Sequence, residues 1–168
     1  MRGRTTRTSK MSSLEEAGIE AFRILLTERA IEGPVEPFLN GLDVLVINIP
    51  PGLRSDPNVD FVSQIALLSL ASKKAQIPQR VFVSSTSVFG PSQGRVTEHS
   101  IPHPETLTGK QLLEAESQLL SEGGITTQVL RPGGLLGPDR HPVRSLSGRI
   151  FPSGGNQRVN LVEQADVL

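Results

Sequence analysis

Short, dense apolar runs in this chain alternate with longer stretches in which apolar residues recur at helical spacing. The densest run, Leu42–Ile49, follows an Asn40-Gly41 turn, reads as a buried strand and stops at Pro50-Pro51-Gly52. Phe22–Leu26, Val81–Ser84 and Ile125–Leu130 read as further strands, with a last short one near Val159–Val162. Between them lie helical patterns. Ser12 and Ser13 are placed to cap a short helix through Leu14–Ala17, and Asp56-Pro57 to open one that runs to about Ala75 and is apolar on most sides. Thr106 to about Ser121 places Leu112, Ala115 and Leu119 on one face, and Gly123-Gly124 ends it. Past Arg131-Pro132-Gly133-Gly134 the chain reads as loop to Asn156.

Strand and helix in this rhythm imply right-handed βαβ units and an α/β, doubly wound parallel sheet. A barrel of such units needs more of them than 168 residues hold. At that length a single globular domain is expected. Seventeen basic residues balance seventeen acidic ones, so charge argues against nucleic-acid or membrane-surface binding, and the apolar runs are too short to span a bilayer. There is no cysteine, which excludes disulfides and thiolate chemistry; with no secretory segment, a reducing cytoplasm is the expected compartment. Tyrosine and tryptophan are also absent, so no phenol is available. His99, His103 and His141 fall in polar, proline-flanked loops without the spacing of a helical metal pair, and no metal site is expected.

The segment Arg80–Gly90 carries the candidate chemistry. Its β-branched and aromatic residues stop abruptly at Ser84-Ser85-Thr86-Ser87, as a parallel strand does where its carboxyl end opens into a site. The competing reading is a hydroxyl-rich turn that satisfies its own backbone. Lys110 invites the same pair of readings, cofactor contact or solvated helix residue. It is no phosphate-loop lysine, because Gln111 follows it and Pro104 stands where glycine is needed.

Taken in order, four segments resemble the extended or atypical short-chain dehydrogenases/reductases, the NAD-dependent epimerase/dehydratase family. They are Asp43–Pro51, Val81–Gly90, Thr106–Lys110 in the Tyr-x-x-x-Lys position, and Leu130–Pro138 with its Arg-Pro-Gly-Gly; Asn160–Val167 is similar to a degraded further segment. The resemblance implies a partial NAD(P)-binding Rossmann-like domain over residues 1–168, the part after about 139 beginning a substrate-binding region. Met1–Arg7 resembles the end of the family's second strand. The first strand and its Gly-x-x-Gly-x-x-Gly turn are therefore expected to be lacking, and the chain to be truncated at both ends.

By the same resemblance Ser85 orients the substrate oxygen, Lys110 holds the nicotinamide ribose, and Ser84, Asn48 and Pro50 line the cofactor cleft. Arg131, Pro132 and Gly133 approach the nicotinamide end. Arg4 and Arg7 fall where a 2′-phosphate would sit, which favours NADP over NAD, although a frayed basic terminus reads equally well. The family's catalytic tyrosine is replaced by Thr106, a far weaker acid than a phenol, leaving His103 or Glu105 as substitute proton acceptors. Two functions follow. One is an NAD(P)-binding oxidoreductase or sugar-nucleotide epimerase/dehydratase-like protein acting on a small molecule such as a nucleotide sugar, with a family-type homodimer. The other is a non-catalytic binding or interaction protein on a truncated Rossmann fold.

Overall fold

A computed structural model describes residues 1–53, 55–148, 150 and 159–167. It divides into two compact units, Met1–Leu130 and Arg131–Leu168. In the first, β1 (Arg2–Thr5) is followed by α1 (Met11–Glu16) and β2 (Glu20–Arg23), and β1 and β2 pair in parallel. A small antiparallel hairpin joins β3 (Leu25–Leu26) to β4 (Ile31–Glu32) and leads to the short α2 (Val35–Leu39). Then come β5 (Val44–Ile47), α3 (Phe61–Lys74), β6 (Gln79–Val83), α4 (Leu107–Ser121) and β7 (Thr126–Leu130). These three strands form a parallel sheet in the order β5-β6-β7. The α/β class and the parallel βαβ units expected from the sequence are therefore present, with the parallel strands in two blocks, β1-β2 and β5-β6-β7.

Strand alternation decides what the three-stranded sheet buries. Leu45 and Ile47 of β5 and Arg80 and Phe82 of β6 point to one face and are all buried. Helices α3 and α4 pack there, setting Phe61, Ile65, Leu112, Ala115 and Leu119 into the same core. Phe61 of α3 stacks on Phe82 at 6.4 Å between ring centroids. The opposite face carries Val44, Val46, Val81, Val83 and Leu130 by the same alternation, and it is far less covered: Val46 is 60% exposed.

The helix ends differ from expectation in two places. Ser12 and Ser13 lie within α1, which begins at Met11 after a 3-10 turn over Thr8–Lys10; Lys10 takes the N-cap without a side-chain bond. Helix α3 begins at Phe61, not Pro57. Asp60 caps it, its Oδ1 accepting from Ser63 N at 2.9 Å and its Oδ2 from Ser63 Oγ at 2.6 Å, and these bonds hold its carboxyl below the ordinary range. Asp56 instead accepts from Asn58 N in the preceding turn. Two capping aspartates four residues apart compete, and the one with a serine at the third helical position wins. Burial on α3 is also one-sided, with Phe61, Ile65, Ser69 and Ser72 inside and Leu70 outside.

Arg80 is wholly buried, which hydrophobic patterning did not foresee. Its Nη1 donates to Glu122 Oε2 at 2.8 Å, Ser69 Oγ at 2.6 Å and Ser72 Oγ at 3.3 Å. Nη2 donates to Leu119 O and Thr127 Oγ1, each at 3.1 Å, and Nε also reaches Thr127 Oγ1. One guanidinium thus ties α3, α4 and β7 to the central strand, with its charge paired and its donors used. A buried ion is tolerable only on those terms.

The second unit holds β8 (Gly134–Leu136), α5 (Pro142–Leu146) and β9 (Leu161–Glu163), with β8 and β9 parallel. The loop expected from Arg131 to Asn156 is thus interrupted by β8 and α5, because Pro142 at the first helical position is preset for a turn capped by His141. Residues 149 and 151–156 of that expected loop lie outside the described residues.

Removing Glu122 would strand the Arg80 charge in the core, so Glu122→Ala should cost about 3 kcal/mol, read from urea unfolding at neutral pH. Burial works to raise the Glu122 carboxyl, but the bonds from Ser69 and Arg80 and the charges of Arg80 and Lys73 outweigh it, and the group sits below its ordinary value. A depressed carboxylate contributes stability above its unfolded value, near 4.3 for a glutamate, and loses it as pH falls through the folded one. The wild type should therefore lose more stability than Glu122→Gln between pH 6 and pH 3, and parallel losses would count against the bridge.

Candidate functional site

The carboxyl ends of the parallel strands define the candidate site. Asn48 is the first residue past β5 and Ser84 the first past β6, so both stand at one rim of the sheet. Ser84 is buried, its amide donates to Leu130 O at 2.7 Å, and its Oγ has no hydrogen-bond partner among the described residues. Ser85 keeps an extended backbone (φ −158°, ψ 154°), so the two-residue alternation continues into it and turns it away from the buried side taken by Arg80, Phe82 and Ser84. Its Oγ accepts from Ser87 N at 3.1 Å and opens a 3-10 turn over Thr86–Val88. The hydroxyl-rich turn that satisfies its own backbone is thus real for Ser85. It does not account for the orphaned hydroxyls of Ser84 and Ser87.

Helix α4 starts against that turn. A side chain at Gly109 would run into Ser87 O and Pro104 Cβ, so only glycine allows this approach. Lys110 follows directly, exposed in the first helical turn. Thr106 is the N-cap of α4: its Oγ1 accepts from Gly109 N at 3.1 Å, and its carbonyl from Lys110 N. Gln111 fixes the helix laterally, accepting from Phe61 N at 2.8 Å and donating to Val59 O at 3.0 Å. Of the substitute bases, Glu105 Oε1 accepts from Ser92 Oγ at 2.7 Å, and exposed His103 is held through its backbone by Gln93.

The second group of expected residues shares one cleft. Arg4, Arg7, Asn48 and Pro50 line a cavity of about 810 Å³, together with Thr5, Thr6, Lys10 and Ser13 on one side and Leu45–Ile47 on the other. Three of its lining residues are cationic and none is acidic. Arg4 is the unusual member: its Nη1 is buried without a hydrogen-bond partner among the described residues, and burial lowers its guanidinium from the ordinary value. An arginine remains charged even so. A half-buried guanidinium with an unpartnered Nη1, beside threonine and serine hydroxyls, is suited to an anion such as a phosphate. Ser84, Ser85, Thr106 and Lys110 lie outside this lining.

Arg131, Pro132 and Gly133 open the second unit. A side chain at Gly133 would meet Asn160 O at 2.8 Å, and Gly134 N donates to Asn160 O at 2.9 Å. The Arg-Pro-Gly-Gly segment and the Asn160–Val167 segment therefore pack on each other, a long-range pairing that no local pattern could reveal. Sequence reasoning also missed Gly109 and Gln111 as positioning residues; a glycine in the first turn of an otherwise periodic helix was the available signal.

No family model matches the chain. It is 41% identical over 127 residues to Protein YeeZ of Escherichia coli K12, a match covering 75% of this chain and 46% of that protein. The chain thus spans about half the length of the curated relatives it matches. Among solved structures it superposes on MoeE5 in complex with UDP-glucose and NAD (TM-score 0.71, 20% identity, 99% of this chain and 68% of that one). It also superposes on UDP-N-acetylglucosamine 4-epimerase from Methanobrevibacter ruminantium M1, in complex with UDP-N-acetylmuramic acid (TM-score 0.70, 18% identity, 96% and 60%). No helix among the described residues is long and apolar enough to cross a membrane. The chain has the fold of the NAD-dependent epimerase/dehydratase and short-chain dehydrogenase/reductase proteins.

Proposed function

We propose that this chain is the nucleotide-binding part of an NAD(P)-dependent oxidoreductase or epimerase/dehydratase-like protein, with NADP preferred. The observation that carries the reading is the unpaired, buried Nη1 of Arg4 in a cleft lined by Arg7, Lys10, Thr5 and Thr6 and bounded by Asn48 and Pro50. Arg4 and Arg7 take the 2′-phosphate, and no lining carboxylate opposes it. Asn48, Pro50 and Ser84 border the cofactor, and Lys110 reaches the nicotinamide ribose. When bound, the cofactor supplies a hydride donor or acceptor. The chain's own residues bind it and orient the substrate oxygen through Ser85. Nucleotide-sugar ligands in two structures of this fold support a nucleotide-sugar substrate for the whole protein, and the family-type homodimer and cytoplasmic location are part of the same reading.

A second reading rests on Thr106. Its hydroxyl already accepts the Gly109 amide as a helix cap, and an aliphatic alcohol in that role is no replacement for a phenolate. That favours a binding module without hydride transfer for this chain.

The two readings part on cofactor binding and turnover. NADPH fluorescence should show saturable binding that weakens roughly tenfold or more in Arg4→Ala, while the weaker NADH titration changes little. Equal affinity for NADH and NADPH, or no binding at millimolar NADPH, would contradict the cofactor assignment. If catalysis occurs through His103 or Glu105, the His103→Ala and Glu105→Ala variants should lose turnover without losing NADPH affinity, and unchanged rates in both would leave the binding module.

A further inference from the structure

The turn that joins α2 to β5 carries a chemistry of its own. Asn40 ends the helix with φ −61° and ψ 126°, Gly41 follows at φ +69°, and Leu42 N donates to Leu39 O at 3.3 Å. Those angles make a type II turn, whose third residue needs a positive φ and hence glycine. The turn's own bond uses Leu42 N and leaves the Gly41 N–H outside it. Asn40 and Gly41 are both exposed, and a Cβ at Gly41 would meet nothing within 4 Å. An asparagine amide beside an unshielded glycine nitrogen is poised for ring closure within the chain. The other asparagines precede Ile49, Val59, Gln157 and Leu161, whose side chains crowd the attacking nitrogen.

We propose that Asn40 is a site of spontaneous covalent modification, loss of its side-chain amide as ammonia, and that Arg2 is the latch that slows it in the folded chain. Gly41 N gives its proton to hydroxide and attacks Asn40 Cγ. A C–N bond forms, the Cγ–Nδ2 bond breaks, and the leaving nitrogen departs with a proton as ammonia. Water then opens one of the two ring C–N bonds of the cyclic imide, leaving aspartate or isoaspartate. Water enters and ammonia leaves, with no oxidant or reductant. At ψ 126° the Gly41 nitrogen points away from the Asn40 side chain, so closure requires the peptide plane between them to turn. Arg2 holds that plane: its Nη1 donates to Asn40 O at 2.5 Å and to Phe38 O at 3.3 Å, and its Nε is tied to Glu20. Either product places a carboxylate at the carboxyl end of α2, where the helix dipole disfavours it. Isoaspartate also lengthens the main chain between α2 and β5 by one carbon.

The test holds the purified protein at pH 7 and at pH 9 and maps its peptides by mass spectrometry over time. Asn40 is expected to gain the mass of an amide turned into an acid, as aspartate and isoaspartate resolved by fragmentation. Ammonia should appear in equal amount, about tenfold or more faster at the higher pH, because only the deprotonated nitrogen attacks. Asn40→Gln should abolish this early ammonia release. Unfolding the chain in urea should speed the reaction about threefold or more, and so should Arg2→Ala at unchanged circular dichroism. An intact Asn40 in the folded protein after the unfolded chain has fully reacted would overturn the site. So would a rate independent of pH, or loss spread equally over Asn48 and Asn58. Equal rates in folded and unfolded chains would overturn the latch. The experiment contains no nucleotide, so its failure is distinct from failure of the cofactor assignment.

Discussion

A guanidinium at zero exposure sets the geometry of this fold. Arg80 enters the core only because Glu122, Ser69, Ser72, Thr127 and the Leu119 carbonyl surround it, and those partners come from α3, α4, β7 and the segment after α4. Any one-residue slip of β6 would move that charge to the other face and leave Glu122 without the guanidinium it pairs with. With Arg80 fixed inside, strand alternation fixes Phe82 and Ser84 inside as well, and turns Ser85 out at the strand's end. The direction of the candidate hydroxyl is thus a consequence of a buried ion pair about fifteen ångströms down the strand by its rise per residue.

A second constraint acts at the start of α4. Its first turn approaches the Ser85-initiated turn through Gly109, and Gln111 holds it against the beginning of α3. Lys110 lies exposed between these two neighbours, which fix the first turn of the helix without chemistry of their own. Thr106, in the position where the resembling family has its phenol, is consumed as the cap that starts this helix. Binding geometry and proton chemistry therefore separate in this chain: the cleft lined by Arg4 and Arg7 is suited to an anion, whereas the Thr106 hydroxyl is engaged as a helix cap.

Much of this was legible in the sequence. The runs containing β5, β6 and β7, and the Leu112, Ala115, Leu119 face of α4, follow directly from periods of two and 3.6 residues. Arg4, Arg7, Asn48 and Pro50, four of the expected cofactor contacts, line one cleft. What escaped was set by distant partners. Nothing local to Arg80 reveals that Glu122, forty-two positions on, lies beside it. The packing of Asn160 against Gly133 is equally hidden, because the two are far apart in the chain. The start of α3 was misplaced because local rules accept either Asp56 or Asp60, and only the bonds from Ser63 select between them.

The central claim is that Arg4 stands ready for a phosphate at the rim of a parallel sheet. It is tested most directly by following arginine Nε–H and backbone amide NMR signals while adenosine 2′-monophosphate is added, with adenosine 5′-monophosphate as the control. The account predicts saturable shifts for Arg4, Thr5, Thr6 and Arg7 with the 2′-phosphate and much smaller ones with the control. Shifts that are absent, or that gather at residues remote from this cleft, would contradict it.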